Sequence, residues 1–109
     1  MYKLSHLLDT SALDLSGQEE IFETLLSVKN VHIKRIVSFG QTSNEWYNQT
    51  TDEFVILLQG KANILYENGT LVTLQKGDSL WIKAHEKHKV SYTSASPPCI
   101  WIAVFFKNL

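Results

Sequence analysis

From Val31 onward the chain takes on a period of two, and its residues become β-branched and aromatic. Residues 31–38, 54–59, 62–66, 71–74, 79–82, 89–92 and 100–106 read as strands, parted at short intervals by turn residues. Seven or more short strands with no crossover helix between them point to an antiparallel barrel or jelly roll and away from a βαβ sheet. Asn68-Gly69 is a strong hairpin signal, because both central residues of a type I′ turn need positive φ. Gly77-Asp78 and Pro97-Pro98 punctuate the later strands.

The first thirty residues differ in character. Ser16-Gly17-Gln18-Glu19 has the spacing of a capping box, in which serine and glutamate side chains each satisfy a free amide at a helix start. Ile21, Phe22, Leu25 and Leu26 then fall on one face at helical spacing, which predicts an amphipathic helix over residues 18–27. The expected architecture is all-β: residues 31–109 form one antiparallel barrel, and residues 1–30 form an N-terminal segment whose short helix packs on it. The last strand, residues 100–106, is apolar on both faces. One face fills the interior, and the other needs a cover from the N-terminal helix or from a second subunit, so a homodimer is expected.

At 109 residues the chain has the size of one domain able to bury its own core. Its 44% hydrophobic and 19% charged residues are an ordinary globular mixture. Ten basic against eleven acidic residues leave a net charge of −1, which gives no field to recruit nucleic acid or anionic lipid. The single cysteine, Cys99, cannot form an intrachain disulfide, and residues 1–9 lack the apolar run of a signal peptide. These features favour a cytoplasmic setting. No apolar stretch approaches the ~20 residues of a spanning helix.

Gly40, Glu53, Gly60, Gly77 and His88 stand at spacings that carry a family resemblance. Residues 40–60 resemble the first motif of the cupin superfamily: a glycine, five residues, His-x-His, three or four residues, a glutamate, six residues and a glycine. Residues 77–90 are similar to the second motif, which has a glycine, a proline six places on, a glycine two further and a histidine three further. The resemblance covers roughly residues 31–106, and it implies a metal held inside the barrel by imidazoles and one carboxylate.

Carried over by residue, Glu53 and His88 match the implied ligand set, whereas Trp46 and Asn48 occupy the two first-motif histidine places. An indole offers only a donor, and an asparagine carbonyl is a weak ligand. In the second motif Lys83 replaces the proline and His85 the glycine. His85 reads either as an exposed turn residue or as a substitute ligand swung inward. His88, if it faces inward, shares its side with Val90 and Tyr92 and is either a ligand or a hydrogen-bonded core histidine. Glu53 heads a strand apolar on both faces, so an inward carboxylate needs a partner, while Asp52 points the other way and reads as a surface residue. Trp81 and Trp101 read as core, and His6 and His32 receive no role.

Two function classes follow from these residues. One is a small-molecule-binding barrel whose pocket is lined by Trp46, Asn48, Glu53, His88 and Tyr92, with Glu53 and His88 as polar anchors. The other is a metal-dependent isomerase, lyase or dioxygenase in which Glu53, His88 and either His85 or Asn48 hold one iron, nickel, zinc or manganese ion. A purely structural interaction module ranks third.

Overall fold

The computed structural model describes residues 6–108; residues 1–5, which open the stretch read for a leader, and residue 109 lie outside it. Eight strands follow one another: β1 (Ile21–Val28), β2 (Val31–Ser38), β3 (Asp52–Gln59), β4 (Lys61–Tyr66), β5 (Leu71–Gln75), β6 (Ser79–Ile82), β7 (His88–Thr93) and β8 (Cys99–Phe106). They form two antiparallel sheets, a five-stranded one in the order β1-β2-β8-β3-β6 and a three-stranded one in the order β5-β4-β7. Alternation along each strand sends one apolar set between the sheets. Val55 and Leu57 of β3, Ala62 and Ile64 of β4, Leu74, Ile82, Cys99 and Trp101 form this core.

The expected N-terminal helix is absent, and residues 21–28 are strand β1, paired with β2 from Ile21↔Val37 to Val28↔Val31. Three local facts explain the difference. The apolar residues of the stretch also fit a strand, since partly buried Ile21, Glu23 and Leu25 alternate with exposed Phe22, Thr24 and Leu26. Ser16 is not available as a helix cap, because its amide and hydroxyl both bond Asp14 Oδ1, at 2.9 and 2.5 Å. The bare edge of β2 then offers a full ladder to a segment only two residues away, and tertiary pairing overrides local propensity.

Residues 6–18 carry no regular structure and lie on the outside of the five-stranded sheet. Buried Arg35 on β2 holds them there by donating from Nη1 to the carbonyls of Leu7 (3.0 Å) and Asp9 (2.7 Å). Its Nε donates to Glu23 of β1 at 2.5 Å, so the same guanidinium also ties the sheet edge.

Asp52 corrects a second expectation, since it is buried and is no surface residue. Its carboxylate accepts from Trp81 Nε1 (2.8 Å), from the amide of Ala84 (2.9 Å) and from Asn108 Nδ2 (3.1 Å). One side chain thus joins β3, β6, the turn leading to β7 and the end of the chain. Trp81, expected in the core, is half exposed on the outer sheet face, with its indole N–H on Asp52 and the Lys83 ammonium 5.2 Å from its ring. Trp101 is buried as expected.

The β4–β5 hairpin forms at Asn68-Gly69, but only Gly69 has positive φ (93°). The amide of Gly69 bonds the carbonyl of Tyr66 (2.9 Å) and Asn68 Oδ1 accepts from the amide of Thr70 (2.9 Å), which is a type I turn closed by a glycine bulge instead of a type I′ turn.

Gly60, between β3 and β4, is the glycine the packing depends on. Its φ is +89°, and an added Cβ would lie 2.8 Å from Ser94 Oγ and 2.9 Å from Cys99 Cα. Gly60→Ala therefore combines a strained backbone with a clash against backbone that cannot swing away. The expected loss is about 2 kcal/mol or more, seen as a shifted denaturation midpoint in urea, whereas Gly69→Ala, which meets nothing within 4 Å, loses only the turn strain.

Candidate functional site

The two sheets enclose a cavity of about 280 Å³. Ile36, Val55, Ile64, Ile82, Val90 and Trp101 give it apolar walls, and they come from six different strands because each is the inward member of its alternation. Polar groups reach it in two places. Glu20, Lys34 and Ser38 face it from the β1–β2 side, with Ser38 Oγ donating to Glu20 (2.7 Å) and accepting from Trp101 Nε1 (3.1 Å). Glu53, His88, Gln49 and Tyr47 face it from β3, β7 and the loop of residues 39–51.

Glu53 and His88 both sit at strand starts and both are buried. His88 Nδ1 lies 2.8 Å from the carbonyl oxygen of Glu86, which only accepts, so Nδ1 carries the proton. In its neutral form the ring presents Nε2 to the cavity as an acceptor. That atom is 4.0 Å from Glu53 Oε1, longer than a hydrogen bond and short enough for one atom of a ligand to touch both. Burial pushes the Glu53 carboxyl up to about 7, against a smaller opposing effect of a hydrogen bond from Gln49. Since that bond engages the Gln49 amide nitrogen, Gln49 Oε1 is left buried and without a partner.

Tyr47 is held to His88 by a pair of backbone hydrogen bonds, 2.7 Å from its amide and 3.2 Å to its carbonyl, and the two rings lie 5.7 Å apart. Tyr66 flanks the other side of His88 at 6.3 Å, and burial, then the charges of Glu86 and Glu53, raises its phenol above the ordinary range. The loop is also fixed to β7 by the amide of Ser43 on the carbonyl of Val90 (2.8 Å).

The structure brings together only part of the set expected from sequence. Glu53 and His88 meet in the cavity, while Trp46, Asn48, Tyr92 and His85 stand outside it. Trp46 is exposed under the ammonium of Lys89, 4.5 Å from its ring. Asn48 Oδ1 bonds His85 Nδ1 at 2.9 Å on the surface, and His85 holds a turn conformation with φ of 66° that turns it from the cavity. Tyr92 is turned out by a β-bulge: Ile64 pairs with Val90 but Asn63 pairs with Tyr92, so β7 spends one extra residue, Ser91, and its parity flips.

Tyr47 and Gln49 are the residues that sequence reading missed. The first motif allows three or four residues between the second histidine place and the glutamate. Counting four gives Trp46 and Asn48 with five residues after Gly40; counting three gives Tyr47 and Gln49, the pair that faces the cavity, at the cost of six residues after Gly40 where the motif has five. A slip of one residue exchanges inside for outside.

Among the described residues no three His, Cys, Asp or Glu side chains cluster as a metal centre. The donors that do converge are one imidazole nitrogen, one carboxyl and one amide oxygen, from His88, Glu53 and Gln49. This set fits a weakly held divalent cation and falls short of the histidine-rich centre that the motifs imply.

The comparisons with known proteins agree with this geometry. No curated protein matches the chain. A crystal structure from Ralstonia eutropha JMP134, provisionally named a mannose-6-phosphate isomerase, is 33% identical; the match covers 98% of this chain and 100% of that one, with a TM-score of 0.89. A cupin superfamily protein from Desulfitobacterium hafniense DCB-2 is 17% identical over 98% of this chain and 100% of its own, with a TM-score of 0.76. A DMSP lyase from Ruegeria pomeroyi DSS-3 shares the fold at 14% identity and a TM-score of 0.70, over 83% of this chain and 48% of that one. The Cupin domain family itself matches residues 36–105, which is most of β2 through β8, and the chain therefore belongs to the cupin family.

Proposed function

We propose that the protein binds a small organic molecule in the barrel cavity and that Glu53 and His88 exchange a proton with it. One observation carries this reading: a carboxyl poised near 7 faces a bare imidazole nitrogen at 4.0 Å inside an otherwise apolar cavity of about 280 Å³. The Glu53 carboxyl is poised near neutral pH, which is where general acid–base groups work best. A cavity of this size is at the lower end of the range for metabolite sites. Its inner polar atoms, Gln49 Oε1 and His88 Nε2, are acceptors, so the ligand has to bring hydroxyl or amine donors. Among the described residues Lys34 is the only lysine or arginine lining the cavity and Glu20 lines it too, which favours a neutral ligand over a doubly charged one.

A second reading, favoured by the buried and unpartnered Gln49 Oε1, has Glu53, His88 and Gln49 hold a divalent cation. Such an ion would supply Lewis-acid polarisation of a bound oxygen. In either case the Nδ1–H bond to the Glu86 carbonyl fixes the orientation of His88, and the backbone pairing of Tyr47 with His88 closes the cavity beside it. A cytoplasmic setting fits the lone, buried Cys99, and no helix among the described residues is long and apolar enough to cross a membrane.

The raised carboxyl has a consequence for stability. Below the ordinary value of 4.5 Glu53 is protonated whether folded or unfolded; between 4.5 and about 7 the unfolded chain ionises first, so stability falls as pH rises, by a total on the order of 3 kcal/mol. Glu53→Gln should remove that fall. Its denaturation midpoint is expected to match the wild type near pH 4.5 and to exceed it at pH 8, and equal midpoints at pH 8 would show that Glu53 ionises freely.

Thermal-shift titration with D-mannose, D-mannose 6-phosphate and small hydroxy acids tests binding, together with elemental mass spectrometry of protein purified without chelator. The proposal expects an uncharged hydroxylated ligand to raise the midpoint, by ~2.7 kcal/mol of stability at a hundredfold excess over Kd, and the shift to vanish in His88→Ala. Near-stoichiometric metal in the wild type that is lost in His88→Ala would favour the cation reading instead. The provisional name of the Ralstonia protein makes the phosphorylated sugar the informative comparison; a preference for it that disappears in Lys34→Met would reverse the expectation of a neutral ligand.

A further inference from the structure

The cavity has a second polar pole that proton exchange at Glu53 and His88 leaves unused. Lys34, Ile36 and Ser38 are the successive inward residues of β2, and Glu20 reaches the same end from just before β1. Ser38 is buried and its hydroxyl is committed. Trp101 Nε1 can only donate, so it occupies Ser38 Oγ as an acceptor (3.1 Å) and the hydroxyl proton goes to Glu20 Oε2 (2.7 Å). These bonds fix the Glu20 carboxylate at the cavity wall, and among the described residues its other oxygen has no donor.

Lys34 brings the opposite charge. Its ammonium stands 5.6 Å from the centre of the Phe105 ring, which also lines the cavity, and among the described residues no carboxylate pairs with it, Glu20 included. Two opposite charges that line one cavity without pairing are complementary to a ligand that carries both signs. Phe22 lines the cavity beside them and is 56% exposed, so this end opens to solvent, whereas Glu53 and His88 are 8% and 3% exposed. A charged head held at the open end keeps part of its hydration, and the apolar walls take the carbon chain.

We propose that the ligand is a free amino acid whose ammonium donates to Glu20, whose carboxylate accepts from Lys34, and whose hydroxyl or amide side chain donates to Gln49 Oε1 and His88 Nε2. The inference rests on the reading of the cavity as a small-molecule site and adds the class of molecule. A zwitterion has no net charge, which matches one cation and one carboxylate at this pole. The cavity of about 280 Å³ has room for roughly nine groups of water size, the bulk of homoserine or glutamine. Lys34 pairs with Ala103 and Ala103 with Val55, two residues on from Glu53, so the backbones at Lys34 and Glu53 are ~12 Å apart on one sheet face. The flexible lysine stem closes part of that span and a short amino acid the remainder.

Calorimetric titration with L-homoserine, L-threonine and L-glutamine tests the proposal, beside two probes that each lack half of the head: γ-hydroxybutyrate has no ammonium and propanolamine no carboxylate. At least one of the amino acids is expected to bind, and neither half-headed probe to come within ~10-fold of its affinity. Glu20→Gln, which can still accept from Ser38, and Lys34→Met, which keeps a stem of similar length, should each weaken the amino acid ~10-fold or more. Each should also lose discrimination against one probe, Glu20→Gln against γ-hydroxybutyrate and Lys34→Met against propanolamine, a change that a merely structural role would not produce. Circular dichroism melts establish that both variants fold. Sugar or hydroxy-acid binding that is lost in His88→Ala, with no amino acid bound, overturns the amino-acid assignment and leaves the small-molecule site standing. Amino-acid binding that neither Glu20→Gln nor Lys34→Met weakens overturns it equally, and no binding by any probe counts against both readings.

Discussion

The parity of side chains along each strand is the constraint on which this molecule depends. Two antiparallel sheets in contact have an inside and an outside, and a residue changes face only where a bulge adds one to the count. Bulges occur at Thr24/Leu26 in β1, at Leu57/Gln59 where β3 meets β8, and at Asn63/Ile64 where β4 meets β7. Between them parity is strict. It places Glu53 and Val55 inward and Phe54 and Ile56 outward on β3, so the cavity wall and the outer sheet face are made by consecutive residues of the same strand.

Asp52 and Glu53 show what such parity does to chemistry. Both carboxyls are buried, one residue apart, on opposite faces of one strand. Asp52 accepts three hydrogen bonds, led by the amide of Ala84, and they hold it below its ordinary range despite burial. Glu53 meets one amide donor and an imidazole whose nearer nitrogen is an acceptor, so desolvation dominates and its carboxyl keeps a proton to about 7. Hydrogen-bond donors win at Asp52 and desolvation wins at Glu53, and that difference separates the two carboxyls. The same comparison explains why Asp52 carries no expectation of function although it is as inaccessible as its neighbour.

Much of the fold was legible because period-two patterns survive without tertiary knowledge: residues 31–38 and 79–82 are strands with the boundaries read from sequence. Glu53 and His88 were legible as a pair because each heads a strand at a motif spacing. What could not be read depends on events outside the local pattern. Residues 21–28 fit either period, and only the waiting edge of β2 decides between them. Tyr92 follows the expected alternation from His88 until Ser91 is added, and no residue type announces that bulge. For Tyr47 and Gln49 the motif spacing from Gly40 points to their neighbours Trp46 and Asn48, and the backbone bonds between Tyr47 and His88 shift the inward places by one.

The departures from the family's motif form one coherent change. With tyrosine and glutamine in the inward places of the loop, the cavity loses two imidazoles and gains an aromatic wall and an amide whose nitrogen faces Glu53. A carboxyl among several imidazoles and a metal would be held ionised by the ion's charge. Among the described residues no basic side chain contributes to the Glu53 carboxyl, and burial is what pushes it up to about 7.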